Sequence, residues 1–526
     1  MNESLFKSWV PKWASILMYL FIFFPALFIN GAYSSNAAEM VSGLGIISEH
    51  VMFATFMSAI GLVIAGPFLV SVLRTFSKRF IFIVGFSALF GLSYICGVTD
   101  SMPLLFLCSL LMGIVRVFIM MSSLFGLLGI IAGVDVLDML SAPPASGEEA
   151  AKKDKFRGFM QSASYFLFLT IGQIGSYLTA KMAYEYHWQY VYLYVGAFVF
   201  IALLLVFCMM KPENVIIGRS HEFPPLSQAI SATVFLSAIC YLLVYGKTYD
   251  WFDDDRICIS AGVSLISGAV FVLQHIYCHK RFIDFKTFSV PSVIVAMVFF
   301  TLVMFMNSSS VLVTTFMGMS MKLDSVKAAS ISNWQILGFG IGMIINIVML
   351  VKGIHSRWFI IIGFLLMTAS AVYMYFQYQA MATYESMILP TVLRSIGMWM
   401  IYAYCGCYGM NHLDIGKQLG TWVFIMLIFR AVLGPAGGAT IYSNAVNQRS
   451  QDHIVKIAQD YDNVYPEFAR MPVASAKGVV QQQAMLVTLK ELTGWTIFGG
   501  LGCVFLAFVF PYSSWHIGRR RTPAPS

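Results

Sequence analysis

Long apolar runs dominate this chain, and short polar stretches separate them. About fourteen runs can be drawn, at 13–33, 50–72, 80–98, 103–130, 158–180, 190–210, 227–246, 258–277, 289–317, 328–350, 358–378, 386–410, 418–442 and 493–513. A helix of roughly 20 apolar residues spans the ~30 Å hydrocarbon layer of a bilayer, so each run predicts one membrane-crossing helix. Two polar stretches are longer than the rest. Residues 141–157, rich in Ala, Pro, Glu and Lys, predict a flexible connector. Residues 447–492 are the only large extramembrane segment. The placing of Ile454, Ile457, Val479, Leu486 and Leu489 there predicts short amphipathic helices, forming either a cap or a docking surface for a periplasmic adaptor protein.

Composition agrees. The chain is 59% hydrophobic and 11% charged, whereas a soluble domain carries about 25% charged residues. The formal charge of +8 fits cations gathered in cytoplasmic loops. No basic run alternates with aromatics, so no nucleic-acid partner is expected. With the N-terminus placed inside, 20 of the 33 Lys and Arg fall on inside loops, 10 on outside loops and 3 within runs. That bias predicts both termini in the cytoplasm and an even number of crossings of the cell (inner) membrane. The first run lacks a small-residue cleavage site and reads as a retained anchor. The nine Cys lie mainly in apolar runs and read as small core residues. Cys405 and Cys407 form a lone C-x-C, so no metal is expected, nor any cofactor. No GxSxG, HExxH or Walker-type loop is present, so an enzyme is not expected.

The chain repeats itself. Leu73-Arg74-Thr75-Phe76-Ser77-Lys78-Arg79-Phe80 and Val351-Lys352-Gly353-Ile354-His355-Ser356-Arg357-Trp358 place cations and bulky residues in one register. Later in each half comes a Gly-rich run, with Gly172 and Gly175 early, and Gly434, Pro435, Gly437 and Gly438 late. Small residues at such spacing let helices approach closely. Two six-helix halves with a site near the midplane are a common transporter plan. The runs 227–246 and 258–277 then form an inserted pair. The expected fold class is an all-α polytopic membrane protein with fourteen transmembrane helices as 6 + 2 + 6. Its parts would be a first half at 1–220, the pair at 221–285, and a second half at 286–526 carrying the 447–492 loop.

These features resemble the major facilitator superfamily, in its fourteen-helix drug:proton antiporter (EmrB/QacA-type) branch. The turn with Arg74, Lys78 and Arg79 is similar to that family's motif between its second and third helices, with Leu73 where Asp is usual. The Gly172 to Ser176 stretch is similar to the antiporter motif, with Gln173 in place of Pro. His187-Trp188-Gln189-Tyr190-Val191-Tyr192 resembles the entry to the sixth helix, and Gly246 with Asp250-Trp251-Phe252 resembles the outer loop of the inserted pair. Aligning the fourth-helix Gly with Gly113 puts Ser109 at the usual Arg, while Arg394-Ser395-Ile396-Gly397 keeps a related form. The first-helix Asp-x-Thr is missing. The resemblance implies a major-facilitator fold and secondary-active efflux of small amphipathic molecules by alternating access, with protons as the coupling ion.

Charge within the runs points to a candidate site. Ionisable groups at membrane depth are costly and mark function. Only Arg116, Arg394 and Arg430 lie fully inside runs; Glu49 and Glu385 sit at outer edges, and Asp135 and Asp138 just past the inner end of the fourth. Arg does not lose its proton in a protein, and its fork suits carboxylate or phosphate. The three Arg therefore point either to an electropositive pathway for anionic or amphipathic substrates, or to helix-joining bonds. Asn30, Gln161, Gln173, Asn307, Ser308, Asn333 and Gln335 add uncharged polar candidates for the pathway. Asn307 to Ser310 is the best of these, because four adjacent polar residues in one helix must find water or partners. A specific anionic-metabolite transporter and a non-transporting membrane sensor are the competing readings.

Overall fold

A computed structural model describes residues 5–132, 148–216, 223–352, 354–355, 357–409, 413, 415–464 and 472–510. Asp135, Asp138, Gly353 and Ser356 lie outside the described residues. The described chain is helical, with only two isolated bridges of extended backbone. This follows from the apolar runs: without water, backbone N–H and C=O groups must be satisfied within the segment.

The helices, in chain order, are α1 (Lys12–Phe28), α2 (Ala37–Leu44), α3 (Ser48–Ala65), α4 (Leu69–Thr75), α5 (Lys78–Val98), α6 (Met102–Ala132), α7 (Glu148–Glu185), α8 (Trp188–Met209), α9 (Leu226–Tyr245) and α10 (Asp255–Tyr277). Then come α11 (Pro291–Ser308), α12 (Ser310–Thr315), α13 (Ser325–Ser330), α14 (Trp334–Val351), α15 (Arg357–Gln377), α16 (Ile388–Gly409), α17 (Ile415–Leu427), α18 (Ala439–Val464) and α19 (Val473–Val509). Wider π-helical turns occupy Phe316–Ser320 and Ile428–Gly438. Twelve of the described helical segments are long and apolar enough to cross a membrane, and α1 is a shorter apolar helix of 17 residues. The protein is a multi-pass membrane protein.

Two stretches differ from the sequence expectation. Residues 148–157 belong to α7, not to a flexible connector. Glu148 and Glu149 stand four residues ahead of Lys152 and Lys153, a spacing that supports a helix. The 447–492 segment is not a set of short helices either. The chain continues through the membrane edge as α18 and returns as the 37-residue α19, about 55 Å long at 1.5 Å per residue. The polar residues there are good helix formers, so the helix outlasts the hydrophobicity.

The chain divides into two compact units, Met1–Met297 with Gly406–Val432, and Val298–Cys405 with Leu433–Arg519. In the first, α1, α5, α6 and α8 close a core around Tyr19, Phe23, Phe82, Phe86, Met112 and Val195. α3 crosses α6 so tightly that a Cβ on Gly113 would stand 2.0 Å from the Ser58 carbonyl oxygen, and one on Gly61 2.1 Å from that of Leu110. The entry of α5 is built locally: Ser77 Oγ accepts from Phe80 N at 3.2 Å, and Ser77 N donates to Val215 O at 3.0 Å. Lys7 N likewise donates to Met209 O at 3.0 Å. The N-terminal segment, the 74–78 turn and the 209–216 segment therefore meet at one end of this unit, as alternating crossings require. In the second unit a smaller core gathers Leu312, Phe316, Tyr378, Met387, Tyr442 and Leu489, with α15 against α19 and α18 against α19.

Candidate functional site

Arg116 lies on α6 in the first unit and bonds a break in α1. That helix ends at Phe28, and Ile29 turns extended, which frees carbonyls at the helix end. An Arg116 guanidinium nitrogen donates to the Ile29 carbonyl at 2.8 Å, a favourable place for a cation. The turn beyond is held by its own polar groups. Asn30 Oδ1 accepts from Gly31 N at 3.0 Å, Asn30 N donates to the Tyr33 hydroxyl at 3.3 Å, and the Tyr192 hydroxyl donates to Gly31 O. The Tyr33 and Tyr192 rings are 5.6 Å apart. The structure thus brings Arg116 and Asn30 to one break in α1.

Arg394 belongs to the second unit. It lines a cavity of ≈ 30 Å³ with Tyr378, Ser309, Thr391, Thr493 and Thr496. About two waters fit such a volume, far below the ~300 Å³ at which small-molecule pockets begin. Several of the hydroxyls are already spent on helix carbonyls: Ser309 Oγ on Met306 O at 2.7 Å, Thr391 Oγ1 on Met387 O at 2.7 Å, Thr496 Oγ1 on Leu492 O at 3.0 Å. What this cavity can do is hydrate a guanidinium inside the bundle.

The third Arg, Arg430, sits in the π-helical stretch Ile428–Gly438 with Gly434, Pro435, Gly437 and Gly438. Pro435 has no N–H to donate, so the ladder cannot run unbroken there. Ser308 bonds the same stretch from α11: its hydroxyl lies 2.8 Å from the Gly434 carbonyl and 2.9 Å from that of Met304. A hydroxyl has a single proton, so the two carbonyls share it. A Cβ on Gly438 would meet Ser308 Oγ at 2.4 Å, whereas one on Gly437 would meet nothing within 4 Å. The Asn307 to Ser310 cluster is therefore where α11 stops and α12 begins. Asn307, Asn333 and Gln335 are half-buried in the second unit, and Gln173 is half-buried in the first. Gln161 has no described side chain.

The motif residues serve packing. Gly175 lets α7 approach α1, since a Cβ there would lie 2.3 Å from Phe28 Cβ; Gly172 has open space. Arg74 sits in the last turn of α4 and Lys78 and Arg79 begin α5, with the Arg79 guanidinium 6.0 Å from the Phe207 ring. Ser109, at the usual Arg position, donates to Leu105 O at 2.7 Å. Sequence reasoning missed Tyr33, Tyr192 and Tyr378. The available signal was that a buried phenol needs a polar partner, which makes every Tyr within a run a candidate.

No protein-family model and no curated protein matches the chain. Among solved structures, the chain is similar to an auto-inhibited POT family peptide transporter, at 12% identity and a TM-score of 0.52, covering 97% of this chain and 99% of that one. It also matches the major facilitator superfamily proton:xylose symporter XylE bound to 6-bromo-6-deoxy-D-glucose, at 11% identity and a TM-score of 0.48, covering 95% and 94%. At such identity a likeness speaks for the fold alone, an all-helical fold like that of the peptide transporter.

Proposed function

We propose that this protein is a secondary-active exporter of small amphipathic molecules, with organic acids as its preferred class. The observation that carries the acidic preference is that Arg116 and Arg430, two cations inside apolar runs, both belong to the first unit. An anion bound near such cations is favoured by their charge, and the guanidinium fork suits a carboxylate. The fold supports transport by alternating access. This reading keeps the 6 + 2 + 6 plan, with halves at 1–220 and 286–526 around an inserted pair at 221–285, and counts α1 and α7 as crossings beside the twelve segments. The cation bias favours the inner membrane with both termini cytoplasmic. Proton antiport rests on the motif resemblance. Nothing beyond the length of α18 and α19 favours an adaptor, and the proposal does not need one.

The test is transport in proteoliposomes with an imposed pH gradient, comparing acidic, neutral and cationic amphiphiles. Acids should move fastest, and Arg430→Met should slow acids at least tenfold while sparing neutral compounds. Equal loss for all three classes would remove the acidic preference. Transport indifferent to the pH gradient would remove proton antiport. Cationic drug efflux is the second reading, favoured by the antiporter-like motifs, and preference for cations in the same assay would select it.

A further inference from the structure

We propose that the small cavity beside Arg394 binds one inorganic anion of chloride or bromide size. The internal repeat shows why one is needed. The register that aligns Arg74 with Lys352 also aligns Arg116 with Arg394, and Ile29 with Asn307. The two arginines thus hold one place in the repeat, each matched with the end of a leading helix, α1 or α11. Their surroundings differ. At the end of α1 the backbone turns extended at Ile29, and that carbonyl accepts from Arg116 at 2.8 Å. At the end of α11 the backbone makes no such turn: Ser309 keeps helical angles and the chain runs on into α12. The Met306 carbonyl there is taken by Ser309 N at 3.2 Å and Ser309 Oγ at 2.7 Å, and the Ser309 carbonyl by Leu312 N at 3.0 Å.

Among the described residues, none accepts a hydrogen bond from the Arg394 guanidinium or meets it as a carboxylate. Arg394 is half-buried on α16 and keeps its proton. A full charge with five N–H donors therefore stands inside an apolar run, where charge is costly. The cavity it lines measures ≈ 30 Å³, lies among α11, α12, α15, α16 and α19, and has neither a carboxylate nor a second cation in its described wall. Water there fills the donors but leaves the charge unbalanced. An anion does both, in charge-assisted bonds roughly twice as strong as neutral ones.

Size and wall chemistry narrow the anion. Ser309, Ser370, Thr391 and Thr496 give their protons to helix carbonyls at 2.7, 2.6, 2.7 and 3.0 Å. That leaves the Arg394 guanidinium as the main donor, with the Tyr378 phenol in the same wall. Met306, Met367 and Met374 supply soft, polarisable surface beside them, which suits an ion that sheds its water readily. A volume that holds about two waters admits a halide and excludes the organic acids proposed as cargo. The site is therefore independent of what the protein transports. An ion held there joins the α11–α12 junction to α15, α16 and α19, so its binding is read in the stability of the protein.

The unfolding midpoint of the purified full-length protein in detergent tests this, in sodium gluconate replaced stepwise at constant ionic strength by chloride, bromide or the larger methanesulfonate. Chloride and bromide should raise the midpoint with the logarithm of their concentration once the site is filled, and methanesulfonate should not. Arg394→Met should need at least tenfold more chloride for the same rise, while Arg430→Met should respond like the native protein. Should Arg394→Met fail to fold, Tyr378→Phe, which deletes one hydroxyl, takes its place and should need at least threefold more. Equilibrium dialysis with radioactive chloride should count one saturable ion per chain. An equal rise in methanesulfonate, a native response from the Arg394 or Tyr378 variant, loss of the response in Arg430→Met alone, or no saturable chloride would each overturn the proposal.

Discussion

Replacing Gly113 with Ala should open the crossing of α3 and α6. The new Cβ would stand 2.0 Å from the Ser58 carbonyl oxygen and 3.0 Å from Leu62 N, where ordinary contact begins at 3.4 Å. Both obstacles are helix backbone and cannot rotate away. The helices must part by about 1.4 Å, close to the length of a bond, and every contact along the crossing loosens. Overpacking of this kind costs about 1–3 kcal/mol. Gly91→Ala is the matched control. It adds the same methyl in open space and should be neutral or stabilising by up to about 1 kcal/mol, since Ala is the better helix former. Gly61 faces the same crossing from the other helix, its Cβ direction reaching Leu110 O at 2.1 Å. Once the helices have parted for one methyl, the second finds room, so the double mutant should cost less than the sum of the singles. Unfolding in mixed micelles measures all four. A Gly113→Ala protein as stable as Gly91→Ala, or strictly additive costs, would refute this account of the crossing.

Other changes should read out separately. Ser77→Ala removes the cap of α5 and should destabilise by about 1 kcal/mol in the same unfolding assay, with Ser77→Asp retaining most of it. Ser308→Ala leaves the Gly434 carbonyl without its donor and should cost about 1 kcal/mol, with faster amide exchange confined to residues 430–440. Glu491 meets His453 at 2.8 Å and Arg449 at 3.6 Å; Glu491→Ala should speed exchange in α18 beyond residue 447 while leaving α15 unchanged.

Hydropathy located the helices because the membrane imposes it, and a helix lies under each of the fourteen runs. It misplaced ends wherever the helix and the membrane part company. The run at 418–442 ends when Asn444, Asn447 and Gln448 appear, yet α18 continues to Val464, because leaving lipid does not require leaving the helix. The polar Asn307 to Ser310 cluster signalled a need for partners and found them in backbone, with Ser308 donating to the Gly434 and Met304 carbonyls and Ser309 to that of Met306. Arg116 and Arg430 were visible as charges in apolar runs, but their membership of one unit depends on α17 packing with helices from the first part of the chain, which no local pattern encodes. Tyr33 and Tyr192 were overlooked because phenols carry no formal charge and hide within an apolar run.

The continuous helices α18 and α19 give the second unit a built-in pointer. About 55 Å of helix against a ~30 Å hydrocarbon layer leaves roughly 25 Å projecting into water. Arg449, His453 and Glu491 tie its base, so it should turn as one body with the bundle that holds it. A rotation of about 15°, of the size seen in rigid-body transitions, would swing its tip through roughly 6 Å. A spin label or fluorophore near Lys456, which is exposed, would therefore report any rotation of this unit as a distance change.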